Sequence, residues 1–336
     1  AQQIAEEAFL PCAAELDENE PVFEAGRAVT PDSLKACLKT FVEAGLPAAT
    51  FDASLGGMQL PMLVANFMQG IFQAANGSAV GYIFLTTSNA HMLEACGSDA
   101  LRARYLPSLV EGRWFGTMCL SEPHAGSSLS DIRCLAEPLG DGSFKMTGTK
   151  MWISGGDQDV SENIVHMVLA RTPGAPAGVK GISLFLVPKY RVTETGEIGE
   201  FNHIALAGLN HKMGQRGITN TLLNFGEGGD CLGYLVGAEH EGLKNMFHMM
   251  NEARIGVGMG AAMSGLAGYL SSLDYARNRP QGRHPGIKDP NSPMLPIIEH
   301  ADIRRLLMEQ KVTVEGSIAL LSYCTQLVDQ QSMAEE

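Results

Sequence analysis

The chain has 336 residues, 45% of them hydrophobic and 18% charged, with a formal net charge of −13. The apolar fraction suffices for real cores and argues against disorder, and the length allows two or three domains. The acidic balance, with no long basic run, argues against a nucleic-acid-binding surface, because phosphate contacts need clustered Lys and Arg.

The amino-terminal stretch Ala1–Glu6 reads as mid-helix without an initiator Met, which suggests a trimmed end, and no signal peptide is visible. Within Ser33–Val42, Leu34, Cys37, Leu38, Phe41 and Val42 share one helical face, and Gly45 and Pro47 end the run. Phe51–Gly57 is a turn-rich loop. Helical stretches follow at 60–75 and 79–96, and a shorter one after Ser98 or Asp99, either of which could cap it. Residues 1–115 are therefore expected to form an all-α domain.

From Trp114 the pattern changes. Lys145–Ile153, Asn163–Ala170, Gly181–Val187 and Thr219–Phe225 are β-rich, and Gly/Pro clusters separate them. A middle β domain is expected over 116–235. From Glu239 helix returns: Met246–Leu273, then a Gly/Pro-rich loop at 281–296, then Ile297–Leu327 with Ile303, Leu306, Leu307, Gln310, Val314 and Leu321 along one side. A helical domain is expected over 236–336. The low-charge stretch Ile255–Leu273 is rich in Gly, Ala and Ser rather than Leu, so a tightly packed buried helix is expected there and no membrane span.

The seven cysteines, Cys12, Cys37, Cys96, Cys119, Cys134, Cys231 and Cys324, are scattered with no C-x-x-C pair. Neither a metal site nor a redox dithiol is indicated, and reduced thiols in a cytoplasmic compartment are expected.

Two pieces carry chemistry. Met118-Cys119-Leu120-Ser121-Glu122-Pro123-His124-Ala125-Gly126-Ser127-Ser128 is an apolar run that breaks at Pro into a small Gly/Ser turn, where backbone N–H groups can approach an anionic group. Gly148-Thr149-Lys150-Met151-Trp152-Ile153-Ser154-Gly155-Gly156 sets an indole beside a hydroxyl, as a flat ring with a reactive edge requires. Together they resemble the flavin-binding signatures of the acyl-CoA dehydrogenase family. The helix, β, helix order resembles it over nearly the whole chain.

The resemblance implies an α+β fold: an N-terminal helical domain, a middle β-barrel domain and an incomplete C-terminal helical domain. It implies FAD as cofactor, with Met118, Leu120, Ser121, Gly126, Ser127, Trp152, Ile153 and Ser154 around it. Ser154 would donate to flavin N5 and Trp152 would pack on the ring. His124 reads as a loop histidine. Ser127, Asn251 and Arg254 would touch the acyl-CoA, the last two from Asn251-Glu252-Ala253-Arg254. In Tyr275-Ala276-Arg277-Asn278-Arg279, Arg279 would reach the flavin pyrophosphate of a neighbouring subunit, which requires a homo-oligomer, a dimer or tetramer. His300 matches a further flavin position. Asn210-His211-Lys212-Met213-Gly214 and the 281–296 loop resemble the larger subgroup that includes 3-methylmercaptopropionyl-CoA dehydrogenase, although the His-Lys pair also reads as a solvated hairpin.

The implied reaction is oxidation of an acyl-CoA to a 2,3-enoyl-CoA, with electrons passed to an electron-transfer flavoprotein. A base must take the α-proton. The family's Tyr-Glu-Gly-Thr-like turn does not occur here. Val314-Glu315-Gly316-Ser317 is similar but lies in a helical segment, and Glu252 sits one residue before the position some relatives use. The expectation is a base beyond Glu336, and a chain that is inactive by itself. The alternatives are a non-catalytic or DNA-associated flavoprotein relative and an acyl-CoA oxidase.

Overall fold

A computed structural model describes residues 1–335, which fall into two compact units. The larger unit comprises Gln2–Leu60 and Asn76–Arg254; the smaller contains Pro61–Ala75 and the chain from Ile255 onward.

The larger unit opens with α1 (Gln2–Ile4), a wider helical turn over Ala5–Phe9, and α2 (Ala13–Glu18). Next comes a small antiparallel hairpin, β1 (Val22–Glu24) and β2 (Arg27–Val29), inside the stretch expected to be wholly helical. Its strands are three residues long, and its turn is Ala25-Gly26 with φ of 47° and 80°. Two positive φ values are what a tight two-residue hairpin needs, and Asn-Gly would have signalled it better than Ala-Gly. Then come α3 (Asp32–Glu43), the part of α4 (Met62–Cys96) from Asn76 on, and α5 (Asp99–Val110). On α3, Leu34, Cys37, Leu38 and Phe41 are buried, the face that the spacing gives. The Ser98 hydroxyl caps α5 by accepting from Leu101 N–H at 3.3 Å. The span of α4 holds the two expected helices, at 60–75 and 79–96, which meet at a kink at the non-helical Asn76. The Asn76 side chain accepts from Ala79 N–H at 3.2 Å, so the second half restarts with its own cap.

The β part contains β3 (Trp114–Cys119), β4 (Leu135–Pro138), β5 (Ser143–Ser154), β6 (Asn163–Arg171), β7 (Ile182–Pro188), β8 (Tyr190–Val192), β9 (Ile198–Phe201), β10 (Ile204–Leu209), β11 (Asn220–Phe225) and β12 (Cys231–Leu235). The main sheet runs β10-β11-β5-β12-β7-β6-β3, and β4 bridges β5 and β6, closing a barrel-like ring through Leu135 and Arg171. The mostly apolar β6 and β7 are buried on both faces, His166 and Ser183 included, as their lack of alternation requires. One core cluster, including Cys119, Met146, Ile153, Val168, Phe185 and Leu223, comes from the strands and the adjoining Cys134. Another joins Leu93, Tyr105, Trp114, Met167, Leu186 and Met246, so helices and strands share it. All seven cysteines are free thiols.

Two long helices, α6 (Gly242–Asn278) and α7 (Ala301–Glu335), complete the chain. In the smaller unit, the Asp329 carboxylate accepts from the N–H groups of Met62 and Leu63 at 2.7 and 3.0 Å, capping the start of α4. A Cβ on Gly260 would collide with the Gln73 side chain, which is why α6 uses glycine there. The Ile255–Leu273 stretch is buried on one face only: Met259, Gly260 and Ala262 are buried, whereas Val257 and Leu270 are exposed. On α7, Leu307 and Val314 are buried but Leu306 is exposed. Among the described residues, no helix is long and apolar enough to cross a membrane.

Candidate functional site

The first sequence motif leaves the end of β3. Met118 and Leu120 are half-buried against the helix-strand core. Ser121 follows, then a tight turn in which Glu122 and Ala125 exchange backbone hydrogen bonds of 2.9 and 3.0 Å. Gly126, Ser127 and Ser128 are exposed beyond it. Nothing in the fold requires glycine at 126: a Cβ there would meet nothing within 4 Å. That edge is open to a close neighbour from outside the chain.

A buried ion pair ties this turn to the second motif. Lys150 Nζ lies 3.0 Å from Glu122 Oε1, with the side chains 0% and 3% exposed. The same ammonium donates to the Leu120 carbonyl at 2.9 Å. The Glu122 carboxylate also accepts from the N–H groups of Arg133 and Cys134 at 2.7 and 2.9 Å. Burial alone would raise the Glu122 pKa. The Lys150 charge and these donors outweigh burial and hold it below the usual carboxylate value. One residue along, Met151 N–H donates to the Ser121 carbonyl at 3.0 Å. The two motifs are therefore one structure. His124 is exposed, and its Nε2 lies 3.1 Å from the Asp131 carbonyl.

The second motif contains a bulge. Lys150 pairs with Leu223 and Ile153 with Thr221, so Met151 and Trp152 face Leu222 alone. Trp152 absorbs the extra residue at a φ of 65°, an unusual conformation for a bulky side chain. The bulge leaves its indole 58% exposed. Ile153, by contrast, is 2% exposed and belongs to the barrel core, so its side chain does not face the surface that Trp152 and Ser154 present. Ser154 pairs with Asn220 and lines a cleft of about 270 Å³ with Gly81, Phe84, Leu85, Lys212 and Gln215. No protein hydrogen bond uses the hydroxyls of Ser121, Ser127 or Ser154 among the described residues.

Asn251 and Arg254 are exposed on α6. The Arg254 guanidinium donates to Asn251 Oδ1 at 3.0 Å and lies over the Phe247 ring at 5.2 Å. Between them, Glu252 turns inward to His91. His91 Nδ1 is 2.9 Å from one carboxylate oxygen and 3.1 Å from the other, and its Nε2 is 2.8 Å from Thr50 Oγ1. Burial would lower the His91 pKa, but the hydrogen bond and charge of Glu252 raise it above 6.5. Nothing in the local sequence pairs His91 with Glu252. The Glu122–Lys150 pair was not expected either, although both residues lie inside the two motifs.

In the smaller unit, Arg279 is exposed and its backbone carbonyl accepts from Ile297 N–H at 2.9 Å. His300 Nε2 lies 2.7 Å from the Gln281 carbonyl. Glu315 lies on α7, 3.7 Å from Lys311.

Residues 1–113 match the family model described as acyl-CoA dehydrogenase, N-terminal domain. A 3-methylmercaptopropionyl-CoA dehydrogenase of Ruegeria pomeroyi is 42% identical over 297 residues, covering 88% of this chain and 50% of that protein. A broad-specificity linear acyl-CoA dehydrogenase of Mycobacterium tuberculosis is 37% identical, over 93% of this chain and 52% of that protein. The chain thus spans about half the length of the curated relatives it matches. Among solved structures, the Megasphaera elsdenii butyryl-CoA dehydrogenase superposes with a TM-score of 0.78 at 19% identity, over 98% of this chain and 78% of that one. A Bacillus anthracis acyl-CoA dehydrogenase complexed with FAD gives 0.80 at 20% identity, over 99% of this chain and 50% of that one.

Two outcomes follow from the ion pairs. Lys150→Met strands a buried carboxylate and should cost about 3–5 kcal/mol in denaturant unfolding near neutral pH. Because the Glu122 pKa is lowered, its contribution is present above the ordinary carboxylate range and lost as pH falls through the lowered value. The variant's deficit should therefore shrink in acid, and a deficit independent of pH would contradict the pairing. The His91 pair has the opposite sign. Its contribution is complete below pH 6.5 and is lost as pH rises through the raised value. Stability curves of Glu252→Gln and the parent protein should converge on the alkaline side; parallel curves would contradict it.

Proposed function

The chain belongs to the acyl-CoA dehydrogenase family, and we propose that it carries the flavin-facing and thioester-facing framework of an FAD-dependent enzyme that oxidises an acyl-CoA to a 2,3-enoyl-CoA. The observation that carries the reading is the joined pair of motifs. It leaves an exposed indole, three hydroxyls without protein partners among the described residues, and an open glycine edge on linked segments. That donor set suits a planar heteroaromatic ring bearing acceptor atoms and a phosphate-containing tail.

A bound FAD would supply the two-electron acceptor for the β-hydride. Ser154 would donate a hydrogen bond to the ring's reactive edge and Ser121 to a neighbouring acceptor. Trp152 would cover the ring from water. The Gly126-Ser127 backbone would approach the anionic part of cofactor or substrate without a Cβ between. Arg254 and Asn251 would hold polar atoms of the CoA arm, for which a guanidinium fork is well shaped. Arg279 and His300 would contribute flavin contacts in a homo-oligomer, Arg279 from a neighbouring subunit. We assign the α-proton to neither Glu252, whose carboxylate His91 holds, nor Glu315, which pairs with Lys311 along a helix. An electron-transfer flavoprotein would take the electrons, and the cytoplasm is the proposed compartment.

The test is spectroscopic. Protein loaded with FAD should bind it more weakly by about fivefold after Ser154→Ala, one hydrogen bond's worth. Acyl-CoA added to FAD-loaded 1–336 chain should leave the flavin absorbance unbleached, because neither candidate carboxylate, Glu252 held by His91 nor Glu315 paired with Lys311, is free to act as base. Unchanged FAD affinity in Ser154→Ala would count against the assignment of that hydroxyl. Rapid bleaching would move the base to Glu252 or Glu315, and Glu→Gln changes at each would decide between them.

A further inference from the structure

The segment between β10 and β11, Asn210–Thr219, is fully irregular, yet it forms a wall of the Ser154 cleft. Its fold is organised around Lys212. The ammonium donates to the Gln215 carbonyl at 2.5 Å and to the Ile218 carbonyl at 2.8 Å, so the side chain closes the loop on itself. No carboxylate lies within ion-pair distance of it among the described residues. The acidic group whose charge acts on it, Glu20, is spent on Arg216 at 2.6 Å and His211 at 2.8 Å. The opposing walls of the cleft, Gly81, Phe84, Leu85 and Ser154, carry no charge. Burial accordingly pushes the Lys212 pKa down to about 8. Of the His-Lys pair, whose alternative reading is a solvated hairpin, His211 is exposed and Lys212 is half-buried.

The loop reaches the site through backbone groups. The Thr219 carbonyl accepts from Gly155 N–H at 2.9 Å, next to Ser154. Thr219 N–H donates to the Tyr82 hydroxyl at 2.9 Å, and Gly217 N–H to Ser78 Oγ at 3.2 Å. Gln215 is held at a φ of 49°, which the two carbonyl bonds to Lys212 help to fix. Met213, next to Lys212, is fully exposed, so apolar packing at that residue does not hold the loop.

We propose that Lys212 is a positioning residue for the flavin site: its ammonium ties the carbonyls of Gln215 and Ile218, and so holds Thr219 against the Ser154-Gly155 turn. The proposal rests on the flavin reading for its purpose, but the tie itself belongs to the protein without cofactor. A Lys at this place supplies what an apolar residue cannot, a cationic double donor for two carbonyls, of which that of Gln215 otherwise accepts a long 3.4 Å bond from Ile218 N–H.

Amide hydrogen exchange on the FAD-free protein tests the tie, and FAD affinity by flavin fluorescence tests its purpose. In Lys212→Met, exchange at Gly155 and Thr219 should quicken by about tenfold, the loss of a charge-assisted hydrogen bond. Exchange at Met167 in the β6 core should not change, and FAD should bind about tenfold more weakly. Lys212→Arg keeps a cationic donor and should stay close to the parent protein. Unchanged exchange at Gly155 overturns the proposal. So does a uniform rise at all amides, which would make Lys212 merely structural, and so does an Arg variant that behaves like Met. If the parent protein does not bind FAD, the flavin reading falls, and Gly155 exchange alone decides the role of Lys212.

Discussion

A single buried ion pair organises the candidate site. Lys150 and Glu122 are both removed from water, and an isolated charge of either kind would be expensive there. Each finds several partners: Lys150 the Leu120 carbonyl and the carboxylate, Glu122 two backbone N–H groups and the ammonium. Four hydrogen bonds therefore converge on one point below the surface. Above it, Ser121, Trp152 and Ser154 have little freedom in where they can go. The pair fixes the end of β3 to the middle of β5, and the backbone bond from Met151 to Ser121 locks the register. The exposed chemistry rests on a concealed, multiply hydrogen-bonded polar network, and such a network rigidifies a fold.

The bulge at Trp152 is the second constraint. A regular strand would alternate its side chains, sending Trp152 and Ser154 to one face and Ile153 to the other. The extra residue bends β5 while Ile153 still reaches the core. The strain of a positive φ at a tryptophan is offset by the paired strand on either side. Ser154 is held again from the next segment, through Gly155 and Thr219. The site is thus held from two directions, one through Glu122 and one through the loop closed by Lys212.

Much of this was legible in the residues. The helical, β and helical succession follows from hydrophobic period and Gly/Pro punctuation, and the α3 face and the Ser98 cap fall where spacing puts them. The pairing of the two motifs was legible as chemistry: an indole, a hydroxyl and a Gly/Ser turn. What was not legible is non-local or too short to carry a period. The β1–β2 hairpin has three residues a side. The His91–Glu252 pair joins positions 161 residues apart. Glycine and serine in α6 suggested burial all round, whereas close backbone approach is needed on one face only. The burial of Lys212 depends on a loop conformation that no local pattern encodes.

The central claim is that the two motifs, joined by Glu122 and Lys150, form one flavin-binding face. A structure of the protein with FAD bound tests it most directly. The account predicts the flavin ring against Trp152, the Ser121 and Ser154 hydroxyls within hydrogen-bond distance of it, and the Glu122–Lys150 pair unbroken beneath. A flavin ring bound elsewhere, or bound here only after that pair opens, would contradict it.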